Sequence, residues 1–203
     1  MPRADGVSDA TGGLPPHPPL FTRGRFVRLI ALFAFAVVAT VISFAIVSRI
    51  SGPRLLPGGT AAPTISADSA AGGHYALLGP GNPPPRPVVV EFFETTCAVC
   101  RQEVAPMCQV RTQHPGVDFY GVDAAREDAG AVNGFRVNQG HGCTDWPLLL
   151  DPKSDILRAY SVTVVPTVYV IDTRGHIAYA GTGAGGVDGL ATALRSLVAG
   201  GNG

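Results

Sequence analysis

The sequence predicts an α/β sandwich preceded by one transmembrane helix. Three observations carry that prediction. A 19-residue stretch, 29–47, holds no charge. From residue 88 onward, apolar β-rich runs alternate with helical patterns. The chain then closes with a hairpin signal and an amphipathic helix.

Residues 1–22 contain five prolines and few apolar side chains, a composition that cannot bury a core. The uncharged stretch follows Arg23, Arg25 and Arg28; at about 1.5 Å per residue it spans roughly 28 Å, the hydrocarbon thickness of a bilayer. A cleaved signal peptide has a shorter apolar region, about 7–15 residues, and a small-residue cleavage site. Here Ser48-Arg49-Ile50 comes next, so an uncleaved anchor is the better reading. Three arginines before the span against Arg49 and Arg54 after it favour a cytoplasmic N-terminus. Residues 49–86, with Pro53, Pro57, Pro63, Pro80 and Pro83 to Pro85 among glycines, read as an extended spacer. The expected organisation is a disordered cytoplasmic segment 1–28, an anchor 29–48, a Pro/Gly-rich linker 49–86 and a folded domain 87–203.

Within that domain residues 88–93 (VVVEFF) suit a central strand buried on both faces. Residues 97–113 read as a helix, 117–122 as a strand and 127–137 as a second helix. Residues 148–150 suit a short strand, and 156–160 a helical turn. Residues 167–171 and 176–180 make two strands joined by Asp172-Thr-Arg-Gly175, and 187–198 form the last helix. No internal repeat is present.

The composition excludes some functions. Lys plus Arg and Asp plus Glu are both 15, giving no net charge, whereas a nucleic-acid partner calls for a basic excess. The charge is nevertheless divided: residues 1–86 carry seven arginines against three acids, and residues 87–203 eight basic residues against twelve acids.

All four cysteines lie in the second part. Cys97-Ala-Val-Cys100 follows the buried strand and opens a helix, the setting a redox dithiol requires. Free amides and the macrodipole at a helix N-terminus favour thiolate over thiol. Cys97 is expected exposed and nucleophilic, with Cys100 turned inward. Structural zinc takes a second close cysteine pair, and Cys108 and Cys143 stand 35 residues apart. On a helix, Cys108 lies about 12 Å from Cys100 and about 16 Å from Cys97, beyond the roughly 7 Å that a disulfide bridges. Of three connectivities only Cys97–Cys100 with Cys108–Cys143 survives; the alternative is that Cys108 and Cys143 are free thiols. His141 beside Cys143, and His114 elsewhere, read as solvated histidines rather than metal ligands.

With Glu91-Phe-Phe-Glu-Thr-Thr-Cys97-Ala-Val-Cys100 upstream and Val164-Val-Pro166-Thr-Val-Tyr-Val-Ile-Asp172 downstream, residues 87–198 resemble the thioredoxin superfamily. The 69-residue gap from Cys97 to Pro166 resembles its TlpA-like and ResA-like membrane-anchored branch. The resemblance implies a thioredoxin-like three-layer sandwich with a central insertion. It also implies thiol–disulfide oxidoreductase activity on protein thiols or disulfides outside the cytoplasmic membrane, apocytochrome c thiols among them, with a membrane redox partner. No organic cofactor or metal is implied. Glu91 matches an acid that exchanges a proton with the inner cysteine; it interrupts an apolar strand, where a carboxylate is expensive to bury. Glu103 matches an acid near the dithiol in ResA-like members. The Val165–Pro166 bond is expected to be cis, with Val165 beside the dithiol and its backbone open to a client segment. The branch's N-terminal hairpin is not recognisable before Val88, and Thr96 stands where the family has tryptophan. A copper-binding or metallochaperone protein of the same fold is the alternative. A peroxiredoxin carries threonine three residues before its reactive cysteine, where this chain has Glu94.

Overall fold

Two blocks of sequence behave differently, and the computed structural model divides the chain between them into Met1–Gly52 and Pro53–Gly203. It describes residues 23–50, 54–79, 81–139 and 145–200. In the first unit, α1 (Arg23–Ile50) contains an apolar window, Val27–Ala45, with mean hydropathy 2.4, long and apolar enough to cross a membrane. The window begins two residues before the expected anchor and takes in Arg28.

The second unit is organised by β3 (Val88–Phe93), all six residues of which are buried. It lies at the centre of a five-stranded sheet. β4 (Asp118–Asp123) runs parallel to it, and β5 (Leu148–Leu149) pairs parallel to β4 at one edge. On its other side β6 (Thr167–Ile171) is antiparallel, followed by β7 (Ile177–Thr182). Strand alternation sends Val89, Glu91 and Phe93 to one face and Val88, Val90 and Phe92 to the other. The first face packs on α2 (Ala98–Gln113) and α5 (Gly185–Gly200), through Val104, Met107, Leu190 and Leu194, and on Val132 of α3 (Ala129–Gln139). The second buries Phe92, Tyr160, Tyr169 and Ile156 of α4 (Asp155–Ala159). α3 and β5 form the insertion between β4 and α4. Residue 121 must be glycine-sized: a Cβ there would stand 2.6 Å from Leu148 and 3.0 Å from Phe93.

The linker expected over residues 49–86 is corrected. β1 (Ile65–Asp68) and β2 (His74–Leu78) form an antiparallel hairpin, turned at Gly72 and Gly73, both in the left-handed region. Ile65, Ala67 and Leu78 point into the second core, and burying an Ile or Leu contributes about 1.5–3 kcal/mol each. The segment before it is tied down as well. Tyr160 donates to the Pro63 carbonyl at 2.9 Å, and Tyr169 accepts from the Leu56 amide at 3.2 Å. Thr60 accepts from the Ile177 amide at 2.8 Å. The hairpin is therefore the missing outer part of the second layer, and the folded unit reaches well upstream of residue 87. The other elements of this unit end within about two residues of their expected limits, ordinary fraying for such assignments.

Candidate functional site

Cys97 is the N-cap of α2, in extended conformation, and its Sγ accepts a hydrogen bond from the Cys100 amide at 3.0 Å. Helix N-termini leave such amides without intrahelical partners, so one of them here serves the sulfur. No acidic residue occupies the first turn to oppose a thiolate. Cys97 and Cys100 are joined as a disulfide with a Cα separation of 5.3 Å. Cys97 is half-buried and Cys100 fully buried, the asymmetry expected of an outer and an inner sulfur.

The loop before Cys97 is braced from two sides. Glu127 accepts from the Thr95 amide at 2.9 Å and, through its other oxygen, from the Thr95 hydroxyl. Arg101 donates to the Thr96 carbonyl at 2.8 Å. Glu127 is itself set by Asp123, which ends β4 and accepts from the amides of Ala125 at 2.9 Å and Glu127 at 2.6 Å. Asp123 and Glu127 went unnoticed in the sequence. Thr95 and Glu127 are 32 residues apart, and only the parallel pairing of β3 with β4 brings their loops together.

Pro166 reaches the same end of the sheet from the opposite strand. Phe92 on β3 pairs with Thr167 on β6, so the residue before Thr167 adjoins the loop that leads to Cys97. The Val165–Pro166 bond is cis. Val165 packs against the apolar cluster that contains Cys100, as Cys97 does. Val99, between the two cysteines, and Val164 are 36% and 43% exposed, so the dithiol is flanked by apolar surface.

Beneath the disulfide lie two acids. Glu91 faces α2 from the middle of β3, and burial, followed by the charge of Glu103, pushes its carboxyl from an ordinary 4.5 up to about 8. Glu103 is one turn beyond Cys100 on α2 and is only 4% exposed. Burial, then the charge of Asp188, raises it from 4.5 to about 7. Both acids can therefore hold or release a proton near neutrality.

Cys108 is buried on α2 in the same cluster. Cys143 and His141 lie outside the described residues, so their expected roles fall there too. Among the described residues no group of three or more His, Cys, Asp or Glu side chains could hold a metal ion.

A family model described as AhpC/TSA matches residues 59–180. The thiol-disulfide oxidoreductase ResA of Bacillus subtilis (strain 168) is 29% identical over 98 residues, covering 47% of this chain and 52% of that protein. The match thus spans about half the length of this curated relative. A putative thiol:disulfide interchange protein DsbE from Chlorobium tepidum superposes with a TM-score of 0.61 at 21% identity, covering 70% of this chain and 99% of the other. A secreted Mycobacterium tuberculosis disulfide oxidoreductase, homologous to E. coli DsbE, gives 0.54 at 24% identity, covering 66% and 96%. At these identities the structural likeness establishes the fold. The family match begins at residue 59, within the segment that carries the hairpin, and extends past Cys97, Cys100 and Pro166 into β7. Over that span, which is more than half its length, the chain belongs to the AhpC/TSA family, with a thioredoxin-like fold.

Proposed function

We propose that this protein is a membrane-anchored thiol–disulfide oxidoreductase that acts on protein clients outside the cytoplasmic membrane. The observation that carries the reading is the Cys97–Cys100 pair at the start of α2, above buried acids and beside a cis proline. In the reducing direction the Cys97 thiolate attacks one sulfur of a client disulfide, forming a mixed disulfide and releasing one client thiolate. The Cys100 thiol gives its proton to the Glu91 carboxylate. The resulting thiolate attacks the Cys97 sulfur and expels the second client thiolate, and both client thiolates take protons from solvent. The enzyme ends as disulfide and the client as dithiol; the reverse sequence oxidises a dithiol. A membrane redox partner would reset the pair.

Glu103 supports Glu91 by keeping a second proton site beside it. Val165 supports binding: with Val99 and Val164 exposed nearby, an extended client segment can lie along its backbone. Dithiols such as those of apocytochrome c, or general client disulfides, fit such a surface. Cys108 and Cys143 form a structural disulfide in this reading, in keeping with the absence of a free cysteine among the described residues. α1 anchors the chain, with Arg23, Arg25 and Arg28, which precede the uncharged stretch 29–47, on the cytoplasmic side.

The test uses the full chain in detergent micelles. Cys97→Ser is expected to abolish reduction of insulin disulfides, and Cys100→Ser to accumulate mixed disulfides with clients. Retained activity in Cys97→Ser would overturn the reading.

A further inference from the structure

Among the described residues Glu103 is the acid whose two carboxyl oxygens are both buried with no hydrogen-bond partner. A carboxylate left so is costly unless it is protonated or exchanges its proton with something close by. Its surroundings supply the exchange partners. Cys100 and Glu103 are three residues apart on α2 and share a helix face. Glu91 meets that face from β3, between Val89 and Phe93, which pack in the same cluster as Cys100. On the far side, Asp188 in the first turn of α5 acts on Glu103 and is exposed. From β7, Tyr179 interacts with both Asp188 and Glu103. Asp123, the acid that ends β4, is turned away to Glu127 and its loop.

Tyr179 has a mechanical role at this mouth. Its hydroxyl donates to the Gly186 carbonyl at 3.0 Å, holding the start of α5 two residues before Asp188. The ring sits in a slot between Gly181 and Gly189, where a Cβ at either position would collide with its hydroxyl end.

We propose that Glu91, Glu103 and Asp188 form a proton path between the buried sulfur of Cys100 and solvent, opening at the first turn of α5, which Tyr179 positions. The inference rests on the oxidoreductase reading. Cys100 has no exposed surface, so the proton it gives up during resolution needs a way out. In the reducing direction that proton passes from the Cys100 thiol to Glu91, then to Glu103, then through Asp188 to water. Oxidation of a client runs the same path inward.

The experiment is a single-turnover measurement on the reduced full chain in micelles, mixed with a disulfide peptide. Formation and resolution of the mixed disulfide are followed separately by acid quench and mass spectrometry. Asp188→Asn is expected to leave formation unchanged and to slow resolution in dilute buffer at least about threefold, part of the ~100-fold that a direct proton-transfer group contributes. Added imidazole should restore its rate, whereas wild type should not respond to buffer concentration. Asp188→Glu should resolve at the wild-type rate, and Tyr179→Phe should fall between wild type and Asp188→Asn. Resolution by Asp188→Asn at the wild-type rate, or a slowed rate indifferent to imidazole, would overturn the path and leave the function intact. A wild-type chain that forms no mixed disulfide would instead sink the oxidoreductase reading.

Discussion

Replacing Glu91 by glutamine should make the folded chain more stable at pH 8 while leaving it nearly unchanged at pH 5. Glu91 is 7% exposed, and its carboxyl rises from 4.5 to about 8 in the folded state. Between those values the folded chain holds a proton that the unfolded chain has lost, so stability falls as pH rises through that window. Below 4.5 both states are protonated and the contribution vanishes; above 8 the full penalty of a buried charge is present. At 1.36 kcal/mol per pKa unit, the loss from pH 5 to pH 8 is about 3–4 kcal/mol. Glutamine has nearly the same shape and no charge, so this part of the pH dependence disappears. Glu103 still contributes, but its carboxyl at about 7 confines the pH dependence it adds to the range below neutrality. Trp146, the single tryptophan of the chain, is 5% exposed and reports unfolding by its fluorescence. Urea titrations of the oxidised chain in micelles should show the wild-type midpoint dropping by about 1–3 M relative to Glu91→Gln between pH 5 and pH 8. Parallel curves for the two proteins would refute the buried-charge argument, and with it the proton-transfer role of Glu91. Kinetically, the same substitution should slow resolution by Cys100 and change the pH–rate profile.

Glu127→Ala removes both bonds to Thr95 and should cost about 1.5–3 kcal/mol of stability; in the reduced protein it should also slow alkylation of Cys97, because the loop that presents it is released. Equal alkylation rates would reduce Glu127 to a surface brace. Mass spectrometry of non-reduced peptides should recover Cys108 crosslinked to Cys143, with a bond that outlasts Cys97–Cys100 under mild reductant; free alkylation of both in the native oxidised protein would exclude it. Protease added to spheroplasts should digest the domain that follows α1, and protection until lysis would reverse the orientation.

The parts legible in the sequence are those in which a few neighbouring residues carry the signal. Five apolar or aromatic residues in six positions, interrupted only by Glu91, mark β3, and two cysteines shortly after it mark the start of α2. Asp172-Thr-Arg-Gly175 marks the turn between β6 and β7, where Gly175 has φ of 79°. The β1–β2 hairpin escaped because prolines on both sides dominate the composition of residues 49–86. Its own alternation covers only four and five residues. Read locally, Ile65 and Ala67 against Leu78 across Gly72-Gly73 form a hairpin pattern. The Thr95–Glu127 brace and the electrostatic influence of Asp188 on Glu103 had no local signal, since each depends on how separate helices and loops meet over the sheet.

The buried acids of this chain divide by what surrounds them, and that division separates architecture from chemistry. Asp123, Asp151 and Asp172 are all less than 9% exposed, yet each accepts two backbone amides: Ala125 and Glu127, Asp155 and Leu157, Arg174 and His176. Such carboxylates are structural fixtures that order the turns after β4, before α4 and after β6. For Asp172, those amides and the Arg174 guanidinium outweigh burial and hold its carboxyl below the usual range. Glu103 is buried as deeply with no partner at all, and burial together with a neighbouring acid drives both Glu103 and Glu91 toward neutrality. A fold that needed only structural acids would supply amides here, as it does three times elsewhere. Two buried acids on the face that holds Cys100, Glu103 among them without a hydrogen-bond partner, are instead arranged to change protonation, and a buried cysteine that must lose and regain a proton supplies the reason.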